Sequence, residues 1–290
     1  MRIATRSSKL AIVQAQWIAT ALGGAELVPV TSDGEPGDKA RFVRGVERAV
    51  LDGEADLAVH SAKDVPGEET PGLALAGVPA REDPADAFVG PARSLDELPE
   101  GARVGTASLR RRSQLLALRP DLEVVEVRGN VDTRLRKLTA GEVDGLVLAA
   151  AGLLRLGLGE AISFRFSAAE MVPAPGQGAL ALVARTDDEE ATRAAGRVTD
   201  RNALVEYTAE RAVVGALQAT CDTPLGVCAR HMDGTLAVAA YAGLPDGSQW
   251  VRDAVRGDPE QPVALAEALV EKLENQGARE ILERAAREAG

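Results

Sequence analysis

The chain has 290 residues, of which 46% are hydrophobic and 27% charged, enough apolar material for buried cores in two or three compact units. A net charge of −11 and an aromatic content of 3% argue against nucleic-acid or anionic-membrane binding, and no stretch approaches the roughly 18 uninterrupted apolar residues of a membrane span. Two cysteines, Cys221 and Cys228, and two histidines, His60 and His231, are too few for a disulfide framework or a zinc site, so no metal is expected.

The first residues run from Met1 straight into a strand-like segment without an apolar leader, so a cytoplasmic location is expected. Ile3-Ala4-Thr5 predicts a strand, and a helix follows from about Ser8, with Leu10, Val13, Trp17, Ile18 and Leu22 on one face. Leu27-Val28-Pro29-Val30 predicts a second strand, followed by a polar loop from Thr31 to Asp38. A helix carrying Phe42, Val43, Val46 and Val50 precedes a strand at Leu57-Ala58-Val59. Such alternation predicts βαβ units with parallel strands. Asp83-Pro84-Ala85-Asp86 predicts a turn between lobes.

A second round follows, with strands at Val104-Gly105-Thr106, Val124 to Val127 and Leu146-Val147-Leu148. Its helices span Ser108 to Leu118, Val131 to Leu138 and Ala151 to Leu156. Ala179 to Val183 predicts another buried strand, and a long helix runs from about Asn202 to Ala219. A hairpin about Leu244-Pro245-Asp246-Gly247 and a helical tail from Val263, broken at Gly277, close the chain. The fold class is α/β, with two lobes and a smaller C-terminal α+β domain.

Two segments share a plan. Ile3-Ala4-Thr5-Arg6-Ser7-Ser8-Lys9 and Val104-Gly105-Thr106-Ala107-Ser108-Leu109-Arg110 each run from a strand through Thr and Ser into a helix with a cation near its start. Helix N-termini carry free N–H groups and partial positive charge, and they bind anions. Plain N-capping by Ser8 and Ser108 explains either copy alone; the pair points to a two-lobed anion clamp.

Arginines crowd the second lobe. Arg110, Arg111 and Arg112 begin one helix, and Arg128 and Arg134 flank the start of the next, each set just past the end of a predicted strand. Open α/β sheets bind ligands there, and the guanidinium fork suits carboxylates or phosphates. A solvated basic face is the plain alternative. Val59-His60-Ser61-Ala62-Lys63-Asp64-Val65-Pro66 also follows a strand, and its acid could steady a developing cation. His60 alone reads more readily as a half-buried structural histidine. Cys221, in Cys-x-x-Pro-x-Gly, lacks a histidine partner for a protease-like dyad. Gly176-Gln177-Gly178 falls short of a dinucleotide fingerprint.

Taken in order, these segments resemble the signatures of the hydroxymethylbilane synthase (porphobilinogen deaminase) family. Ile3 to Arg6, Val59 to Ser61 with Lys63 to Pro66, and Arg81 to Pro84 carry the resemblance in the first third. Val104 to Thr106 with Ser108 to Arg111, Arg128 to Val131, and Ala151 to Leu153 carry it in the middle. Pro173 with Gly176 to Ala179, Thr208 to Arg211, and Cys221 with Pro224 and Gly226 complete it over nearly the whole chain.

The resemblance implies a cytoplasmic, monomeric transferase that joins four porphobilinogens head to tail with loss of ammonia, releasing hydroxymethylbilane for tetrapyrrole (haem-type) synthesis. It implies two periplasmic-binding-protein-like lobes, residues 1–80 with 178–197 and residues 84–174, and a C-terminal domain over 201–290. Cys221 would carry a dipyrromethane cofactor, with Lys63, Thr106, Ser108, Arg110, Arg111, Arg128 and Asn130 around it. Arg6, Ser8, Arg134, Arg155 and Gln177 would bind substrate, and Asp64 would stabilise the azafulvenium-like cation formed as ammonia leaves.

The chain also departs from the family pattern. Ala219-Thr220 replaces the usual Gly-Gly, Asp132 stands where glycine is common, and Cys228 is an extra thiol; Pro224 and Gly226 keep the register on Cys221. The loop before Lys39 is short, and Lys39 stands where longer relatives carry two lysines. The competing expectation is a non-catalytic two-lobed carboxylate-binding or effector-sensing protein, which would leave Asp64 and Cys221 without a role.

Overall fold

The computed structural model describes residues 1–31, 39–67, 70–220 and 223–289; the loop 32–38 and Cys221 therefore lie outside the described residues, as does the side chain of Lys39. The first stretch runs β1 (Arg2–Arg6), α1 (Lys9–Ala21), β2 (Glu26–Val30), α2 (Lys39–Leu51), β3 (Leu57–Ser61) and β4 (Leu73–Gly77). The second runs β5 (Asp86–Val89), β6 (Arg103–Gly105), α3 (Leu109–Leu118), β7 (Glu123–Val125), α4 (Val131–Thr139), β8 (Gly145–Ala149), α5 (Ala150–Arg155) and β9 (Phe164–Arg165). Then come β10 (Leu180–Arg185) and α6 (Glu189–Arg197). The last stretch holds α7 (Arg201–Ala216), β11 (Leu225–Met232), β12 (Thr235–Gly243), β13 (Trp250–Gly257), α8 (Pro262–Asn275) and α9 (Ala278–Ala289).

Among the described residues the strands form two five-stranded sheets, β2-β1-β3-β10-β4 and β7-β6-β8-β5-β9, and a three-stranded meander β11-β12-β13. The two larger sheets have one topology. In each, the first three strands are parallel, as the expected βαβ units require, and the remaining pairings are antiparallel. Strand β10 belongs to the first sheet although it follows the whole of the second. The chain therefore crosses between lobes twice, once before β5 and once before β10.

Both sheets are covered on both faces. Ile3, Leu57, Val59, Leu180 and Leu182 pack under α1 and α6, while Ala4, Ala58 and Val183 meet Val46 and Val50 of α2. Each fully buried Leu or Ile contributes about 1.5–3 kcal/mol of transfer free energy. In the second sheet Phe88 stacks on Phe164 at 4.9 Å between ring centroids. A Cβ on Gly145 would stand 2.1 Å from the Phe88 ring, so only glycine fits beside it. The C-terminal sheet packs Leu236, Val238 and Ala240 against α7, α8 and α9, and Gly277 (φ +90°) makes the break between the last two helices.

Three expectations change. The inward face of α1 is Gln14, Ala15, Ile18 and Ala19, whereas Trp17 is 45% exposed. Helical spacing puts Leu10, Val13 and Trp17 roughly 110–170° from the centre of that face, and Leu10 instead reaches Gly152 of α5 in the other lobe. The long helix ends at Ala216 rather than Ala219, because Gln218 turns into the left-handed region (φ 52°). Asp86 is no turn residue but the fully buried first residue of β5. Strands β4, β5 and β9 and helix α6 had no sequence signal strong enough to be predicted.

Candidate functional site

The parallel strands β1 and β6 occupy the same place in their sheets, and both lead into capped helices. Ser8 accepts the Ala11 N–H at 3.4 Å and Ser108 accepts the Arg111 N–H at 3.4 Å, so both serines are N-caps. Thr106 is buried, and its hydroxyl oxygen accepts the Ser108 N–H at 3.2 Å. The shared plan of the two segments thus yields equivalent positive helix ends, one per lobe.

Asp86 organises the second lobe's cations. Its carboxylate accepts Nη1 and Nη2 of Arg110 at 2.7 and 3.2 Å, Nε of Arg111 at 2.8 Å and Nε2 of Gln177 at 3.0 Å. The two guanidinium groups and these bonds hold Asp86 far below the usual carboxylate range, against its burial. Arg110 also donates to the Val172 carbonyl at 2.7 Å, yet its buried Nε has no hydrogen-bond partner among the described residues. Arg111 donates to the Val147 carbonyl at 3.0 Å. Arg112, beside them in sequence, turns away to the Val124 carbonyl at 3.0 Å.

Gln177 is fully buried where the chain crosses back to the first lobe. Its Oε1 accepts from Arg111 and from Lys63, each at 3.3 Å, and its Nε2 donates to the Pro84 carbonyl at 2.6 Å. The flanking glycines are required. A Cβ on Gly176 (φ +72°) would lie 2.8 Å from the backbone carbon of Ala62, and one on Gly178 (φ +87°) 2.2 Å from the Glu82 oxygen.

Asp64 closes a short 3-10 turn, Ala62–Asp64, at the end of β3. It is half-buried and makes no hydrogen bond or ion pair among the described residues. Its charge acts on Lys63 and Arg134. Burial, with Arg111 nearby, pushes Lys63 down to about 7. Burial pushes Arg134 and Arg155 down to about 10, with Arg111 adding to the shift of Arg134. Arg134 donates Nε to the Gly129 carbonyl at 2.8 Å and Arg155 donates Nη2 to the Gly178 carbonyl at 2.7 Å. Among the described residues neither has a carboxylate partner. These cations are half-buried and short of countercharge.

Other expected residues lie further out. Arg6 is half-buried at the end of β1, while Arg128 is exposed and paired with Glu126 at 2.6 Å. Asn130 is exposed and occupies the N-cap position of α4 without a side-chain bond. Asp132 is exposed in the first turn of the same helix. His60 faces the interior at 3% exposure, its Nε2 unbonded and 3.9 Å from Glu47, and burial pushes it down to about 4. It is the buried structural histidine rather than a cleft base. Cys228 is 4% exposed against Val172 and Tyr241, and burial pushes its thiol up to about 12, which makes it a poor nucleophile at neutral pH.

Sequence reasoning missed Asp86 as a site residue, and the anchor that Arg81 makes. Arg81 donates to Glu210 at 2.8 Å and Glu206 at 3.2 Å on α7, and its Nε donates to the Gln177 carbonyl at 2.9 Å. The available signal was a carboxylate pair at i, i+4 on a helix with a buried face. The whole arrangement can hold a molecule bearing several carboxylates beside one unpaired acid.

Two family models match the chain: "Porphobilinogen deaminase, dipyromethane cofactor binding domain" over residues 1–193, and "Porphobilinogen deaminase, C-terminal domain" over residues 204–275. A porphobilinogen deaminase of Roseiflexus sp. (strain RS-1) is 46% identical over 297 aligned positions, covering 97% of this chain and 97% of that protein. Another, from Syntrophotalea carbinolica, is 42% identical over 298 positions, covering 97% and 95%. Among solved structures, the second substrate binding domain of a putative amino acid ABC transporter from Streptococcus pneumoniae aligns with 68% of this chain and 91% of its own. Its TM-score is 0.42 and its identity 15%, a distant likeness; the two-lobed architecture rests on the matching strand orders.

Proposed function

The chain belongs to the porphobilinogen deaminase family, and from that premise we propose how its own residues carry the reaction. It is a transferase that polymerises porphobilinogen into hydroxymethylbilane with a dipyrromethane cofactor. Family membership sets aside the non-catalytic alternative. The observation that carries the site reading is the set of half-buried cations that pair with no carboxylate among the described residues, Lys63, Arg134 and Arg155, with the Asp64 charge acting on the first two.

Those cations, with the unpartnered Nε of Arg110, fit a group rich in carboxylates. When bound, dipyrromethane supplies the terminal pyrrole carbon to which the first porphobilinogen is joined, together with acetate and propionate groups. In our reading Cys221 holds it by a thioether. Lys63, Thr106, Ser108, Arg110, Arg111, Arg128 and Asn130 surround it, and Arg6, Ser8, Arg134, Arg155 and Gln177 hold substrate. Arg110 and Arg111 are oriented by Asp86, which fixes their planes before any ligand arrives. Asp64 accepts pyrrole N–H groups and opposes the positive charge that develops as porphobilinogen loses ammonia. Because it has no hydrogen-bond or ion-pair partner among the described residues, its charge is not already spent.

The same proposal takes residues 1–80 with 178–197 as the first lobe, 84–174 as the second and 201–290 as the cofactor-bearing domain. It also takes the enzyme as a cytoplasmic monomer without nucleic-acid or membrane partners. The charge of −11 supports the last point, and among the described residues no helix is long and apolar enough to cross a membrane.

Intact mass tests the attachment. The wild-type protein is expected to exceed its polypeptide mass by one dipyrromethane, Cys221→Ser to lose that increment and Cys228→Ser to keep it. An adduct retained in Cys221→Ser would overturn the assignment.

A further inference from the structure

Arg211, on α7 of the C-terminal domain, sends its guanidinium onto the backbone of the first lobe. Nη1 donates to the Val65 carbonyl at 3.2 Å, and Nη2 donates to the carbonyls of Pro66 at 2.6 Å and Gly67 at 2.7 Å. These three carbonyls follow Asp64 directly. Among the described residues the segment has little bonding of its own: Val65 N–H reaches back to the Ala62 carbonyl at 3.2 Å, and Pro66 has no N–H to give. One side chain therefore fixes the peptide planes that lead out of the Asp64 turn.

The other end of the connection is equally defined. Glu210, the residue before Arg211, is buried and accepts from Arg81 and from the Gly176 N–H at 2.6 Å, so this turn of α7 cannot slide. Beyond the end of α7 at Ala216 the chain leads through Leu217 and Ala219 toward Cys221 in sequence. A Cβ placed on Gly67 would stand 3.7 Å from the Ala219 carbonyl oxygen, so the segment after Asp64 lies against the residues that precede the cysteine.

We propose that Arg211 is a positioning residue, which holds the Asp64 carboxylate in register with the C-terminal domain through the backbone of residues 65–67. This rests on the reading of Asp64 as catalytic and Cys221 as the point of attachment. An acid acting on a ring tethered from another domain needs its distance to the tether held, and misplacement by about 1 Å can cost roughly a hundredfold in rate. Arginine suits the task because its planar fork spans neighbouring carbonyls, which a single ammonium cannot.

The test uses cofactor-loaded wild type, Arg211→Gln, Arg211→Lys, Asp64→Asn and the double variant Asp64→Asn/Arg211→Gln, with loading established by intact mass. Arg211→Gln is expected to lower kcat per loaded molecule by about tenfold to a hundredfold, with KM within about twofold of wild type. Arg211→Lys should fall between, which also serves if the glutamine variant folds poorly. In the Asp64→Asn background the same change should cost less than about twofold in residual turnover, while the melting temperature falls equally in both backgrounds. Near-normal kcat in Arg211→Gln, or an equal fold-loss with and without Asp64, would overturn the proposal and leave Asp64 standing. Near-normal turnover of Asp64→Asn would overturn the catalytic reading itself, and the Arg211 proposal with it.

Discussion

The ammonium of Lys63 and the amide oxygen of Gln177 lie 3.3 Å apart, and that oxygen also accepts from Arg111 at 3.3 Å. Lys63 stands at the end of the first sheet and Arg111 at the start of a helix in the second, so one buried amide joins the cationic groups of both lobes. Its own nitrogen is held by Asp86 and the Pro84 carbonyl, which fixes the amide's orientation. Burial and the positive charge of Arg111 then lower Lys63 to about 7. An arriving carboxylate would raise it again. The lobes therefore present a shared reserve of positive charge, which on the proposed reading a polycarboxylate ligand would satisfy.

Asp64→Asn keeps the size of the side chain and an acceptor but removes the charge. With no ion pair among the described residues to lose, the variant should retain its cofactor and melt close to wild type. Turnover per loaded molecule should fall by roughly a hundredfold or more, as when one preorganised electrostatic group is removed from a transition state. Asp64→Glu should recover part of the rate. Turnover and melting temperature measured on one sample decide it: normal turnover with a lowered melting point would make Asp64 a structural residue.

Arg134 and Arg155 donate to the Gly129 and Gly178 carbonyls respectively, and they start from different helices. A charge-assisted bond to a substrate carboxylate contributes roughly 1.5–3 kcal/mol, so Arg134→Leu and Arg155→Leu should each slow some additions by about tenfold or more. As the pyrrole chain grows it meets different cations, and the two variants should accumulate enzyme carrying different numbers of added rings. Mass spectrometry of the covalent intermediates reads this directly. Identical ladders would point to a diffuse positive field instead.

His60 carries a pH dependence of stability. Its folded pKa is about 4 against 6.5 when free, so the folded chain excludes a proton that the unfolded chain accepts. Its contribution is complete above pH 6.5 and is lost as pH falls toward 4, a span worth up to about 3 kcal/mol. Glu47, 3.9 Å away and raised by burial, has the opposite slope, and Asp64 and Arg6 act on His60 with opposite signs. All three remain in His60→Gln, so the difference between the two proteins isolates the histidine. Denaturant unfolding at pH 7 and pH 5 should show the wild type losing more stability than the variant. Parallel losses would refute the assignment.

Much of this enzyme was legible in its residues. Strand-helix alternation located β1, β3, β6 and β8, because strands buried on both faces are continuous apolar runs and their helices carry a 3.6-residue period; the antiparallel β10 showed as the same kind of apolar run. The paired Thr/Ser segments marked two helix N-termini, and each proved to be a capped helix at the same place in its sheet. The ordered motifs identified the family, and with it the reaction, from sequence alone.

Only tertiary structure decided the rest. Asp86 read as a turn residue because Asp83-Pro84-Ala85-Asp86 is a turn by local preference; two arginines and a glutamine from distant segments hold it as a buried strand residue instead. Arg112 and Arg111 are neighbours in sequence, yet one caps a strand's carbonyl and the other enters the site, since successive helical residues point about 100° apart. Cys228 is inert for a reason no spacing reveals, its burial behind Val172 and Tyr241. The bonds from Arg211 to residues 65–67 span about 145 positions of chain. Local sequence sets helix caps and strand periods because those depend on neighbouring residues. Which charge meets which is settled by lobes that come together only when the whole chain has folded.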